Sequence, residues 1–139
     1  MSVGSLYVYI FPMTFSPTAV LAALPSELGL PHPELVGSRG RALHYGRTIP
    51  YHQDSDYDYA YFTDDKQQQD IIRRQLDKLI QDKKWIRHDR SGGFLTASSP
   101  DGNMDLSVYP TDKRKQILKA WELIESGMNK EDAWALVNS

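Results

Sequence analysis

Four side chains in the first half of the chain have the types that metal-independent RNA cleavage requires. His44 and His52 could serve as acid and base near neutral pH, and Arg41 and Arg47 could neutralise a phosphorane. All four lie between Gly29 and Gln53, where Pro31, Pro33, Gly37, Gly40, Gly46 and Pro50 interrupt every run. The expectation is a long irregular loop over residues 29–53, with Leu43-His44-Tyr45 paired to Thr48-Ile49 as a small hairpin across Gly46-Arg47. Histidines in a glycine-rich loop are usually just solvated, so residue type without geometry does not make a site.

The second group is acidic. Asp54, Asp56, Asp58 and Asp65 imitate the oxygen-ligand spacing of a calcium loop. The pattern breaks where Tyr59 replaces the required glycine and Asp65 the bidentate glutamate, so no metal is expected, and no motif points to a cofactor. Asp64-Asp65-Lys66 has the acid-x-lysine form of metal nucleases but lacks a partner acid. Read for partners, the same stretch is more informative. Tyr57, Tyr59 and Tyr61 offer rigid contact area, and Asp54, Asp56 and Asp58 would steer a basic surface toward it. The expected function is therefore a small binding protein that masks a basic protein partner, in the manner of an immunity, antitoxin or phage-encoded inhibitor protein. The alternative is an RNA-cleaving or RNA-binding protein using the His/Arg loop. Lys113, Arg114, Lys115 and Lys119 read as a solvated helix face, because no aromatics interleave with them.

These residues need elements to hold them. Asp64 and Gln67 have the form of a capping box, and Ile71, Ile72, Leu76, Leu79 and Ile80 then recur at helical spacing, which gives an amphipathic helix of about five turns. Beyond Lys84 the pattern turns extended. Trp85–Asp89, Phe94–Ser98 and Asn103–Tyr109 are separated by Ser91-Gly92-Gly93 and Ser99-Pro100-Asp101-Gly102, so a meander is expected. Met104, Leu106 and Val108 should face the core, and Asp105, Ser107 and Tyr109 the other way. Earlier, Leu6–Phe11 reads as a strand, and Ser16-Pro17 opens a short helix.

After Pro110, Thr111 or Asp112 caps a helix carrying Ile117, Leu118, Trp121 and Ile124. Gly127 ends it, and Asn129 caps a last helix, so residues 111–139 form a C-terminal helical hairpin. Its bend resembles the connection of helix-turn-helix modules, but Lys130 alone follows as a base, and a packing role fits better. Trp85, Trp121 and Trp134 fall at apolar phases and read as core anchors.

The 139 residues suit one domain, 1–139, of the α+β class, with an antiparallel sheet, helices packed on one face and the final hairpin at its edge. No apolar run approaches the roughly 20 residues of a membrane span, so no membrane is expected. The absence of cysteine makes a reducing cytoplasm the expected location. Nucleic acid is the less expected partner, because the C-terminal hairpin lacks a recognition face and the basic cluster at Lys113 has no interleaved aromatics. Charge is segregated: residues 54–65 hold five aspartates and no base.

Overall fold

A computed structural model describes residues 16–24, 29–47, 56–90, 92 and 94–139. The expected strand Leu6–Phe11, the Thr48-Ile49 half of the hairpin, His52 and Asp54 lie outside them. The elements in order are α1 Pro17–Ala23, β1 Glu34–Val36, α2 Gly37–His44, β2 Tyr57–Phe62 and α3 Lys66–Asp82. Then come β3 Ile86–Asp89, β4 Leu95–Ser98, β5 Met104–Tyr109, α4 Thr111–Glu125 and α5 Lys130–Asn138. The five strands form one sheet in the order β1-β2-β5-β4-β3. It is mostly antiparallel, but β2 and β5 run parallel at its centre. The fold is a single-domain α+β fold, and no helix among the described residues is long and apolar enough to cross a membrane.

The amphipathic helix forms where its periodicity places it. Its cap is Asp65, one residue later than the capping-box reading, with Oδ1 accepting from the Gln68 amide at 3.0 Å. Asp64 is spent elsewhere. Its carboxylate accepts from the Thr111 amide at 3.0 Å and from the Thr111 hydroxyl, so it caps α4, whose own N-cap, Pro110, has no side chain for the task. Those two Thr111 bonds, the hydroxyl first, hold the Asp64 carboxyl below the usual carboxylate range. Ile72 and Leu76 of α3 are fully buried against Leu95, Ala97, Met104, Leu106 and Val108, with Tyr61 and Trp85 closing the cluster. Burying each of the larger side chains contributes about 1.5–3 kcal/mol, so this face holds most of the fold's stability.

The opposite face is not left to solvent. Because strand side chains alternate, Ala60 and Phe62 point away from α3, and they pack with Ile117 and Trp121 of α4. Helices therefore cover both faces of the sheet, whereas the apolar periodicity suggested one: α3 takes the Met104–Leu106–Val108 side and α4 the other. The hairpin itself is as expected, with Gly127 at φ 113° ending its first half and Asn129 Oδ1 accepting from the Asp132 amide at 2.8 Å.

The expected irregular loop over 29–53 and its small hairpin need correction. Residues 34–36 form an edge strand on β2, and 37–44 form α2, so Leu43 and His44 are helical. Gly46, at φ 79°, closes α2, with its amide on Leu43 O and the Arg47 amide on Ala42 O. Gly40 accounts for the error. A β-carbon there would collide with the Leu35 carbonyl and crowd the Trp121 ring, so the glycine that breaks the helical pattern is what lets α2 pack closely.

A carboxyl pair at the floor of a cavity as candidate functional site

On the face covered by α4, the parallel register sets Asp58 of β2 beside Asp105 of β5. Side chains at one register position share a face, so two carboxyl groups meet at the centre of the sheet. Burial, then a hydrogen bond with Asp105 and the charges of Asp105 and Asp56, push the Asp58 carboxyl up to about 7 against a lesser pull from Lys130. Near neutral pH the pair thus holds a proton between two oxygens that would otherwise repel. A hydroxyl pair extends the polar row: Thr96 Oγ1 and Ser107 Oγ lie 2.8 Å apart, and Arg90 Nε donates to Thr96 Oγ1 at 3.0 Å.

This row is the floor of a cavity of about 310 Å³. Trp121 and Trp134 of the hairpin stand over it, Val36 and Gly37 close the β1 end, and Lys113 and Lys130 supply cations. Lys113 Nζ is held over the Trp134 and Tyr109 rings, 5.0 and 5.5 Å from their centroids. Gly37 is required here twice. It has φ 70°, and a β-carbon on it would collide with the Asp58 carboxyl. Gly37→Ala is therefore expected to lower stability by about 1–3 kcal/mol, read as a lower urea midpoint at unchanged slope.

A directly bonded carboxyl pair limits the chemistry. Glycosidase carboxyls stand at least about 5 Å apart, so that arrangement does not fit. A pair sharing a proton can donate and accept hydrogen bonds at once, and can take a proton from a hydroxyl or a water. Among the described residues no group of three or more His, Cys, Asp or Glu side chains is placed to hold a metal.

Among its described residues, the acidic, tyrosine-rich stretch does not form one surface. Tyr57, Tyr59 and Tyr61 all turn toward the α3 core, where Tyr61 is 5% exposed, while Asp58 faces the cavity and Asp56 is exposed. Burial pushes the Tyr59 and Tyr61 phenols above their usual range. Tyr57 is further covered by the Arg39 guanidinium, 3.9 Å above its ring. Of the His/Arg set, His52 lies outside the described residues, and Arg41, His44 and Arg47 are placed by α2 and the turn that follows it. Arg41 and Arg47 both donate to Glu125 at the end of α4, Arg41 at 2.6 Å, and the two arginines, Arg47 first, hold that carboxyl below the usual range. His44 is exposed, edge-on to Tyr45 at 5.0 Å and tilted over Trp121 at 5.5 Å. Asp105, the partner that gives Asp58 its chemistry, was legible only as the wet side of a strand.

The arginine clamp thus joins α2 to α4 at the cavity wall. Because the Glu125 carboxyl is depressed, the clamp is fully present above the ordinary carboxylate range and is lost as pH falls through the lowered value. Glu125→Ala is expected to speed tryptic cutting after Arg41 and Arg47 relative to cutting within α3. Unchanged cutting rates would show that α2 is held by packing alone.

Compared with known proteins, the chain matches no family model, no curated protein and no solved structure.

Proposed function

We propose that this protein binds a small, ring-shaped, hydroxyl-bearing molecule in the cavity between the sheet and the α4–α5 hairpin, with the Asp58–Asp105 pair recognising it and exchanging a proton with it. The reading is carried by one observation: the carboxyl groups of Asp58 and Asp105 lie side by side on the floor of a half-enclosed cavity. The walls suit such a ligand. Trp121 and Trp134 present apolar faces to the C–H face of a sugar or a flat base, while Asp58, Asp105, Thr96 and Ser107 present donors and acceptors to its edge. Isothermal titration with neutral monosaccharides and nucleosides at pH 6 tests it. At least one class binds the wild type and is lost in Asp105→Asn. No binding by any of them, or binding that Asp105→Asn leaves unchanged, removes the cavity as the site.

A second reading is that the chain masks a basic protein partner. Leu43, 66% exposed, and Tyr45, 39% exposed, favour it, since both are large apolar side chains left open at the end of α2. Purification of the tagged protein from its native cells, followed by mass spectrometry, separates the two. A stoichiometric protein whose binding is lost in Leu43→Asp supports masking, and its absence counts against it.

A further inference from the structure

Resting on that reading of the cavity, we infer that the ligand is a phosphodiester, with one ring in the carboxyl cavity, its phosphate between Arg90 and Lys113, and its second substituent in an adjoining hollow. That hollow, of about 620 Å³, opens beside the first, and Arg90, Tyr109 and Lys113 line both. Two cations are thus common to both spaces, so a ligand spanning them would meet both.

Both cations are positioned from below. Arg90 Nε is fixed on Thr96, and the Arg90 amide donates to Phe94 O at 2.7 Å, so the guanidinium is rooted at the cavity floor. Lys113 is steered by the Tyr109 and Trp134 rings. Among the described residues neither forms an ion pair with a carboxylate, unlike Arg41, Arg47, Arg87 and Arg114. A planar guanidinium beside an ammonium matches the oxygens of a phosphate.

The outer hollow supplies what a second substituent needs. Phe94 offers a ring to stack on, and Gln116 and Asn138 offer amides that pair with a base or hydroxyl edge. Two carboxylates also line it. Asp89 accepts from Arg87 Nε at 3.0 Å, and Asp112 lies in the first turn of α4, where the helix end favours its charge. A monoester would fill the inner cavity and leave the outer hollow to water, so occupation of both calls for a diester.

The probes are a dinucleoside monophosphate, the matching nucleoside 5′-monophosphate and the neutral nucleoside, titrated by calorimetry at low and moderate salt. The diester is expected to bind about tenfold more tightly than the monoester, and the monoester more tightly than the nucleoside. Arg90→Gln and Lys113→Gln each weaken the two phosphate probes about tenfold more than they weaken the nucleoside, and flatten the salt dependence of the phosphate probes. Phe94→Ala brings the diester down to the level of the monoester. Equal binding of diester and monoester overturns the outer hollow, and phosphate probes indifferent to both charge variants overturn the clamp. Nucleoside binding that survives either result, and that Asp105→Asn abolishes, leaves the cavity reading standing; no binding by any probe removes both.

Discussion

A chain carrying Leu76→Asp is expected to be unfolded at 25 °C. Leu76 has no exposed surface and sits at the centre of the cluster that α3 makes with β4 and β5, among Ile72, Leu95, Met104 and Leu106. The substitution removes an apolar side chain worth several kcal/mol when truncated and puts in its place a carboxyl that has no cation among those neighbours. Together the losses approach the total stability of about 5–15 kcal/mol typical of a domain. Circular dichroism at neutral pH should show loss of the helical signal. Lys78→Asp, on the exposed side of the same helix, should change the melting temperature little. A folded Leu76→Asp protein with wild-type melting would show that α3 packs by another face.

Asp58→Asn is expected to do the opposite at alkaline pH and stabilise the fold. The folded-state pKa of Asp58 is about 7 against 3.8 for a free aspartate carboxyl, so in this range the folded protein binds the proton that the unfolded chain releases. The stability due to the shared proton is fully present below pH 3.8, is lost progressively as pH rises through about 7, and is then gone. The rise from 3.8 to about 7 corresponds to a ceiling of about 4 kcal/mol, and the partial exposure of Asp58 lowers the expectation to about 2–3 kcal/mol. Asparagine keeps a donor for Asp105 without the charge. Urea midpoints at pH 4, 6 and 8 should therefore diverge, with the variant gaining on the wild type between pH 4 and 7 and holding its lead above. A constant difference across that range would mean that Asp58 and Asp105 do not share a proton in the folded protein.

The two experiments address parts of the molecule that differ in how far they could be read from residues alone. The α3 core was legible because its signal is local. Five apolar residues at helical spacing, and then Met104, Leu106 and Val108 at strand spacing, can be buried in only one way each, and the structure buries Ile72, Leu76 and the three strand residues completely. The meander and the C-terminal hairpin followed for the same reason, since Gly127 and Asn129 act on their own neighbours. The class of the fold comes from such local patterns.

The remainder depended on partners far away in the chain. Gly37 and Gly40 look like breakers in sequence, and only the approach of Asp58, Leu35 and Trp121 explains why a helix carries them. Arg41 and Arg47 have catalytic side-chain types, and only Glu125, at the far end of α4, shows them committed to a clamp. Asp58 was visible within an acidic run, and was grouped there with the tyrosines that the strand turns to its other face. What composition could not supply was the parallel pairing of β2 with β5, which brings Asp105 beside Asp58. Periodicity states which face of its own element a side chain takes, but which other strand lies next to it is decided by the free energy of packing the whole sheet. The carboxyl pair, its raised pKa and the cavity above it are consequences of that one tertiary choice.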